Sequence, residues 1–412
     1  MPSFSIKTFG CKVNLYNTQL LQENLHRLFG FTLTDTQSAD FLLINACVVT
    51  KRAEKDVLRF CKKNQKKFPA CQILVFGCLS TELKEDLQTS NIAITTFQEM
   101  IKNFSKDLPN ETQLINSITS FQDRTRAFIK VQTGCNQFCS YCIVPLVRGN
   151  YESRNPDDIL MEVKQIIKAG YKEIVLTGTQ IGLYQGGNEQ GYHLLHLMKD
   201  LEMEYRKDLY RVRISSIGPT FISNEMIDFL SSSTLFCNHM HLSLQSGSDE
   251  ILKKMNRKYT VQNYLDLVSQ LKQAKKDFCI STDMIVGFPG ETEQDFHSSL
   301  DVCRSVSFSK IHVFPFSPRL GTSAYQLKSI LQPEELKKRT NELLELSKIL
   351  SYNVKRNFIG KSVEVLIEED SSGFTTNYLR VVLQNSVNRK GQLASVSVGA
   401  CDADALYESN LT

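Results

Sequence analysis

The 412-residue sequence contains no run of about eighteen apolar residues, which is the length that a membrane-spanning helix needs. Its first residues, MPSFSIKTFG, also lack the charged segment followed by an apolar segment that marks an export signal. No internal repeat or low-complexity segment stands out. We therefore expect a cytoplasmic protein without a membrane anchor, and its length favours two or three domains.

Net charge is also nearly absent, because 48 Lys and Arg residues are set against 44 Asp and Glu residues. The distribution is uneven: residues 361–412 have a net charge of −3, and the preceding residues have +7. Short basic clusters occur in the preceding part, and Lys253, Lys254, Arg257 and Lys258 form one of them. Such a cluster is either a solvated helix face or a contact for nucleic-acid phosphates.

Twelve cysteines in a reducing compartment favour metal binding or catalysis over disulfides. Three of them, Cys11, Cys47 and Cys78, directly follow the apolar runs FSIKTFG, FLLINA and QILVFG. The spacings fit βαβ units, and the carboxyl ends of parallel strands share one edge of a sheet. We therefore expect these three thiols to converge at the edge of an amino-terminal α/β open sheet.

A second series of β-rich runs alternates with helical patterns, which predicts a parallel (β/α)6 partial barrel. The six runs are AFIKVQTG, EIVLTG, RVRISSI, HMHLSLQSG, ISTDMIVGFP and IHVFPFS. Three shorter runs near the end, in SVEVLIEED, YLRVVLQ and ASVSVGA, predict a small carboxy-terminal β-barrel. The predicted domains are therefore residues 1–120, 121–355 and 356–412.

The segment TGCNQFCSYC places Cys135, Cys139 and Cys142 in the loop that follows the first barrel strand. Thiolates at this density suit zinc or an iron–sulfur cluster. A closed zinc site needs a fourth ligand, and residues 124–154 contain no further Cys and no His. A four-iron cluster with one open iron is thus the favoured interpretation, and a zinc-containing RNA-binding protein remains the alternative from another class.

The CxxxCxxC segment and its continuation IVPLVRGNYESR resemble the MiaB-like family of radical S-adenosylmethionine (SAM) methylthiotransferases. Around Cys11 the sequence reads GCKVN, whereas the ribosomal-protein class usually has GCPKN and the isopentenyladenosine class GCQMN. GCKVN is most similar to the MtaB-type enzymes that act on threonylcarbamoyladenosine in tRNA. One departure is Gly218, where that subgroup commonly has Glu before the proline.

The resemblance implies two [4Fe-4S] clusters, each on three cysteines, in an amino-terminal methylthiotransferase domain and a radical SAM core. The cluster on Cys135, Cys139 and Cys142 would cleave SAM, and a second SAM would methylate sulfur held by the cluster on Cys11, Cys47 and Cys78. The product would be a methylthio group on C2 of N6-threonylcarbamoyladenosine at position 37 of tRNA. Isopentenyladenosine tRNA or a ribosomal protein is the alternative substrate. A flavodoxin- or ferredoxin-like electron donor and a sulfur source would be partners.

Residues near the barrel strand ends are the candidates for SAM binding, because unsatisfied polar groups in such a place are costly unless a ligand is present. They are Tyr141, Gly178, Thr179, Gln180, Ser215, Gln245, Asp283 and Phe316. Any single Ser or Thr among them could instead bond local backbone. The resemblance also implies that residues 356–412 form a TRAM-type RNA-binding domain. The candidates for RNA contact are Arg154, Lys253, Lys254, Arg257, Lys258, Phe374, Tyr378 and Arg380, although the two aromatics could fill the small barrel core.

Overall fold

A computed structural model describes residues 2–104, 114–121, 124–186, 191–327, 331–369, 371–384 and 389–409. The amino-terminal domain contains β1 (Ser3–Thr8), α1 (Lys12–Phe29), β2 (Thr32–Leu33), β3 (Phe41–Ala46), α2 (Lys51–Lys67), β4 (Gln72–Gly77), α3 (Thr81–Thr89), β5 (Ala93–Ile94) and α4 (Phe97–Phe104). Its strands form a parallel sheet of order β2-β1-β3-β4-β5. The three predicted strands are confirmed as β1, β3 and β4, and the two-residue strands β2 and β5 extend both edges.

The central domain begins with β6 (Arg126–Lys130), β7 (Gln132–Thr133), α5 (Val144–Arg148), β8 (Glu152–Ser153), α6 (Pro156–Lys168), β9 (Glu173–Thr177), α7 (Leu194–Tyr205), β10 (Arg211–Ile214) and β11 (Ser216–Ile217). It continues with α8 (Asn224–Ser232), β12 (His239–Leu242), α9 (Asp249–Lys254), α10 (Val261–Ala274), β13 (Cys279–Val286), α11 (Glu293–Val306), β14 (Lys310–Pro315) and α12 (Pro333–Arg356). Single 3₁₀ turns occur at Ile181–Leu183, Pro219–Phe221 and Ser323–Gln326.

The six predicted barrel strands are confirmed as two parallel groups, β6-β9-β10 and β11-β12-β13-β14. Only Ser215 separates β10 from β11, so both belong to the third predicted strand, and a bridge from Val212 to Phe236 joins the groups. In the described residues, β6 and β14 do not pair with each other. The sheet therefore curves into a partial barrel that is open along one side.

Helix α6 illustrates how the sequence specifies the crossovers between these strands. The side chain of Asn155 accepts a hydrogen bond from the backbone N–H of Asp157 at 2.8 Å, and Pro156 occupies the first helical position. Both features favour helix initiation. Ile159, Val163 and Ile166 are fully buried in the barrel core, so one face of the helix packs against the sheet.

The carboxy-terminal domain is a closed β-barrel, as predicted, but it has two strands more than the sequence indicates. It contains β15 (Ser362–Glu369), β16 (Ser372–Thr375), β17 (Arg380–Val382), β18 (Leu393–Cys401) and β19 (Leu406–Glu408), in the order β15-β16-β17-β19-β18. It packs on the amino-terminal ends of the partial-barrel strands. There Arg213, held by Glu173 at 2.8 Å, donates to the carbonyls of Thr375 and Thr376 at 3.1 Å each.

Two buried polar contacts join the amino-terminal domain to the partial barrel. Arg319, which follows β14, makes a bidentate ion pair with Glu54 of α2, with N–O distances of 2.8 and 3.0 Å. On α1, the Tyr16 hydroxyl donates to Glu162 of α6 at 2.7 Å, and Arg154 donates to the same carboxylate at 2.5 Å. Breaking such desolvated pairs is costly, so these contacts fix how the two domains are placed. No helix within the described ranges is long and apolar enough to cross a membrane.

Candidate active site

The first cysteine group, Cys135, Cys139 and Cys142, lies in the loop between β7 and α5, at the carboxyl end of β6. We call it the loop triad. Ser140 anchors the loop to the carboxyl end of α9 and the segment after it, because its N–H donates to Met255 O at 3.1 Å and its hydroxyl to Lys254 O at 2.8 Å. Arg257, from the same segment, donates to the Cys139 sulfur at 3.4 Å. The loop therefore presents three thiols beside one guanidinium.

The second group, Cys11, Cys47 and Cys78, lies at the carboxyl ends of β1, β3 and β4. We call it the strand-end triad. A side chain at Gly10 would approach the Cys47 sulfur to 2.8 Å, and the φ of Gly10 is +100°, so the backbone beside Cys11 packs closely on Cys47. Arg148 completes the group, since it donates to the Cys78 sulfur at 3.0 Å. The predicted convergence of the three strand ends is thus present in the geometry.

Arg148 also connects the two triads through the chain. It is the last residue of α5, a helix that begins two residues after Cys142. Its guanidinium reaches the Cys11 sulfur at 3.6 Å and the Asn14 side chain of α1. The sequence gives no sign of this contact, because Arg148 and Cys78 are 70 residues apart.

Both triads suit iron–sulfur ligation in the chemistry of their donors. Burial raises the pKa of Cys142 to about 12 and that of Cys47 to about 11. Metal binding would therefore have to displace the thiol protons. Among the described residues, no three His, Cys, Asp or Glu side chains are placed to hold a single metal ion. The thiolates of a cluster bind different irons, so they need not converge on one ion.

Four of the predicted SAM residues meet in a cavity of about 180 Å³ at the barrel mouth. Tyr141, Gln245, Asp283 and Phe316 line it, together with Val49 and Thr50, which follow Cys47. Gln245 has a φ of +74°, and its backbone bonds to Asp283 and Ile285 at 2.9 Å each. This small cavity therefore has the loop-triad segment on one side and the strand-end triad segment on the other.

The other four predicted residues lie on the neighbouring strand ends, where two hydroxyls lack partners. Thr179 Oγ1 and Ser215 Oγ are buried, and neither finds a hydrogen-bond partner within the described part of the chain. Buried polar groups without partners are rare and point to a ligand or an ion. Gln180 instead bonds to protein: its N–H donates to Gln132 at 3.0 Å, and its side chain accepts from Gly218 N at 3.1 Å. Beside them, a Cβ at Gly178 would come within 2.8 Å of Gln132 Oε1.

A larger cavity of about 830 Å³ fills the interior of the partial barrel. Cys11, Ser215 and Asp283 line this barrel cavity, so it opens towards the strand-end triad and the small cavity. Its charged lining residues are Lys12, Arg213, Lys310, Lys355, Arg380, Asp283 and Asp404, together with His239, His241 and His312. Five Lys and Arg residues against two Asp residues make the barrel cavity cationic.

Asp283 is an acidic residue that lines both the barrel cavity and the small cavity. Burial alone would raise the pKa of Asp283, but the contact with His241 at 3.1 Å outweighs it and holds that pKa below its ordinary value. His239 and His241 both bond to the Ser281 hydroxyl, at 2.9 and 3.0 Å. Asp283 is therefore a stable anion in the folded protein, and its charge is engaged by His241.

The structure separates the predicted RNA contacts into inward and outward groups. Arg154 and Arg257 point inward, to Glu162 and Cys139, whereas Lys253, Lys254, Lys258 and Arg380 are exposed. Phe374 and Tyr378 line the barrel cavity, where Arg213 lies 4.5 Å from the Tyr378 ring centre. Both aromatics therefore lie outside the core of the small barrel, facing the partial barrel.

Comparisons with known proteins agree with this architecture. Residues 129–303 match the Radical SAM superfamily, and residues 3–97 match a family described as "Uncharacterized protein family UPF0004". The fold resembles the radical SAM methyltransferase TsrM from Kitasatospora setae, solved with cobalamin and a [4Fe-4S] cluster, with a TM-score of 0.59 over 79% of this chain and 77% of that chain. The two share 13% sequence identity, so this similarity concerns the fold alone.

Curated relatives match over nearly the full length. The threonylcarbamoyladenosine tRNA methylthiotransferase MtaB of Thermotoga maritima is 35% identical, over 97% of this chain and 94% of that protein. The enzyme of the same name from Bacillus subtilis is 33% identical with the same coverage. The tRNA-2-methylthio-N(6)-dimethylallyladenosine synthase of Lachnoclostridium phytofermentans is 34% identical, over 97% of this chain and 93% of that protein.

Proposed function

Because the chain belongs to the radical SAM methylthiotransferase family, we propose that it methylthiolates C2 of N6-threonylcarbamoyladenosine at position 37 of tRNA. Membership makes it a transferase that uses SAM and a [4Fe-4S] cluster. The proposal adds the substrate, the second cluster and the residues that hold each group. A tRNA substrate also implies a cytoplasmic location.

We assign the radical cluster to the loop triad and the second cluster to the strand-end triad. When bound, the clusters and SAM supply the radical chemistry that side-chain acids and bases cannot bring to an aromatic C2–H. Arg257 donates to Cys139 and Arg148 donates to Cys78, so each triad has a cation to stabilise its thiolates. These partners orient the ligands and tune the metal site, as residues around metal ligands generally do.

The SAM pocket would combine the small cavity with the two unpartnered hydroxyls near it. Tyr141 and Phe316 offer apolar surface to the cofactor, and Gln245 and Asp283 offer polar groups. Thr179 Oγ1 and Ser215 Oγ would gain the hydrogen bonds that the described residues do not supply. The remaining candidates, Gly178 and Gln180, would contribute backbone and an amide that Gly218 already orients.

The observation that best supports this function is that residues of both halves of the site line one cavity. Cys11 of the strand-end triad and Asp283 and Ser215 of the SAM candidates line the same barrel cavity. A base that entered this cavity would be close to the sulfur-bearing side and the radical-generating side together. Holding reactants in one place is a large part of catalysis when two groups must meet.

The cationic lining favours threonylcarbamoyladenosine over isopentenyladenosine as the substrate. The threonylcarbamoyl group carries a carboxylate, whereas the isopentenyl group is neutral and apolar. A cavity with five Lys and Arg residues and two Asp residues attracts the anion, whereas the neutral isopentenyl group gains nothing from this charge. The GCKVN segment points in the same direction, whereas the relatives include enzymes named for both substrates.

RNA binding would fall to exposed basic residues around the barrel mouth and to the carboxy-terminal barrel. Lys253, Lys254 and Lys258 are exposed close to the loop triad, and Arg380 is exposed at the rim of the barrel cavity. Such lysines bind phosphate without regard to sequence, and their binding weakens with salt. An electron donor and a sulfur source would complete the reaction.

The function is tested by mass analysis of tRNA nucleosides from cells that lack this protein. We expect the methylthio-threonylcarbamoyladenosine signal to disappear and to return with the wild-type chain but not with Cys139→Ala. Disappearance of the methylthio-isopentenyladenosine signal instead would assign the alternative substrate. An unchanged nucleoside profile would refute the proposed function.

A further inference from the structure

Lys12 is a cation without a counter-charge at the mouth of the barrel cavity. It is the first residue of α1 and directly follows Cys11 of the strand-end triad. Its side chain is half-buried and lines the cavity, yet it makes no hydrogen bond or ion pair with any side chain or backbone group that the structure describes. A partly desolvated ammonium gains from a partner, and the described residues supply none.

The other cations of the barrel cavity are either engaged or more exposed. Arg213 is bound by Glu173 at 2.8 Å, and Lys355 donates to Ala403 O at 2.9 Å. Arg380 lies at the rim and bonds to Ser372 at 3.3 Å, and Lys310 is exposed. Lys12 is therefore the cation of this lining that is both close to a triad and available to a ligand.

The groups that face Lys12 do not neutralise it. His239 and His312 lie near it, and burial lowers the pKa of both rings, with the charge of Lys12 adding to the effect. The Tyr378 hydroxyl also feels the Lys12 charge, but Arg126 acts on it more strongly. Asp283, one of the two carboxylates in the cavity lining, is held by His241 at 3.1 Å. The surroundings of Lys12 thus favour an added anion.

We infer that Lys12 binds the carboxylate of the threonylcarbamoyl group and so selects this substrate. The inference rests on the proposed function. In adenine, C2 and C6 flank N1, so N6, which is attached to C6, lies on the same edge of the base as C2. If C2 lies beside Cys11, the N6 substituent extends into the adjoining volume, where the next residue along the chain is Lys12. The Lys12 ammonium then binds the carboxylate, which the threonylcarbamoyl group has and the isopentenyl group lacks.

The sequence around Lys12 provides a natural test substitution. GCKVN has Lys where GCQMN, typical of the isopentenyladenosine class, has Gln. Lys12→Gln keeps a polar side chain of similar length and removes the charge. Lys12→Arg keeps the charge. Lys310→Gln removes a different cation of the same cavity and is the matched control.

The experiment measures Kd for anticodon stem-loops and the reconstituted holoenzyme by fluorescence anisotropy. One stem-loop carries threonylcarbamoyladenosine, and a second carries its amide, in which the carboxylate is neutral. A third carries isopentenyladenosine. We expect wild type to bind the carboxylate about 10- to 100-fold more tightly than the amide, as for a charge-assisted hydrogen bond. Lys12→Gln should bring this ratio close to one, whereas Lys12→Arg and Lys310→Gln should leave most of it.

The ratio is taken within one preparation, so it does not depend on the fraction of protein that carries its clusters. Iron content is measured in parallel because Lys12 adjoins Cys11. A carboxylate-to-amide ratio in Lys12→Gln equal to that of wild type would overturn the inference and leave the proposed function intact. Equal or weaker binding by wild type of the threonylcarbamoyl stem-loop, compared with the isopentenyl one, would instead overturn the proposed substrate and the inference with it.

Discussion

The two cysteine triads use the same ligand type but are built in opposite ways. The loop triad comes from eight consecutive residues, and Ser140 within that loop is fixed by contacts to Met255 and Lys254. The strand-end triad comes from three strand ends spread over 68 positions, and it exists only when β1, β3 and β4 pair in register. Each triad has one arginine on a sulfur, Arg257 or Arg148.

This difference determines which substitutions should disrupt metal binding at each triad. A loop of fixed spacing can hold a metal wherever the loop itself is held, and its sequence signature is correspondingly plain. A site made by topology depends on the pairing of the sheet and on how the domain is anchored to its neighbour. The strand-end triad should therefore respond to distant changes that leave the loop triad intact.

The largest effects should come from removing one cysteine of each triad. Two four-iron clusters correspond to about eight irons per chain, and Cys139→Ala or Cys47→Ala should each lose about four of them. Reductive cleavage of SAM, followed as methionine formation, should vanish in Cys139→Ala and persist in Cys47→Ala. Methylthio transfer should vanish in both variants. Loss of SAM cleavage in Cys47→Ala at full loop-triad iron would contradict the division of roles.

The next effect should come from the buried ion pair that anchors the strand-end domain. Glu54→Gln leaves Arg319 buried with an incomplete partner, which should lower the free energy of unfolding by about 3–5 kcal/mol. The exposed pair of Lys348 and Glu345 is the control, and Glu345→Gln should cost less than about 1 kcal/mol. Denaturant titration measures both.

The same variant also distinguishes the two triads. Because Glu54 accepts from Ser80 as well as from Arg319, it fixes the chain two residues beyond Cys78. Iron bound by the strand-end triad should therefore fall in Glu54→Gln, while SAM cleavage at the loop triad is retained. Equal losses at both triads would show that the anchor is not specific to the strand-end site.

The contrast between the triads also explains what the sequence could and could not reveal. The loop triad, the six barrel strands and the three cysteine-bearing strands follow from short-range patterns, and the structure contains all of these elements. The contacts of Arg148 with Cys78 and of Arg319 with Glu54 span 70 and 265 residues, and no local pattern encodes them. The strands β16 and β19 have four and three residues, too few to show a clear alternation.

The positions of Phe374 and Tyr378 also depend on long-range contacts that local sequence patterns do not encode. The sequence leaves them as either RNA-stacking residues or core residues of the small barrel. Their position over Arg126 and Arg213 depends on how the carboxy-terminal barrel packs against the amino-terminal ends of the partial-barrel strands. Domain packing is set by long-range contacts. Neither interpretation, RNA stacking or burial in the small barrel core, therefore predicted that these rings line the barrel cavity.

A smaller effect should follow from changing the arginine beside each triad. Arg148→Met and Arg257→Met each remove a charged donor from a thiolate, and such partners typically alter metal affinity about 10- to 100-fold. Chelator competition, read as loss of visible absorption over time, should show the weaker cluster to be the strand-end one in Arg148→Met and the loop one in Arg257→Met. Lysine at either position keeps the charge and should restore part of the affinity. Crossed effects would contradict the pairing of each arginine with its triad.

The smallest effect is the pH dependence that Glu54 gives to the strand-end domain. Burial alone would raise the pKa of Glu54, but the hydrogen bonds from Arg319 and Ser80 outweigh it, and the pKa is lowered. Its contribution to stability is therefore present above the pKa of the unfolded chain, near 4.3, and is lost as pH falls through the lower pKa of the folded state.

Unfolding of the metal-free chain between pH 6 and pH 3 measures this contribution without the added effect of acid on bound metal. Wild type should lose stability below about pH 4.5 more steeply than Glu54→Gln, because the amide does not titrate. Glu345→Gln, at an exposed pair, should follow the wild-type slope. Glu54 contacts the chain beside Cys78, and no carboxylate takes this part among the described hydrogen bonds of the loop triad. The loss of unfolding free energy below about pH 4.5 should therefore arise in the amino-terminal domain. Parallel curves for wild type and Glu54→Gln would show that the anchor remains charged in acid or contributes nothing to stability.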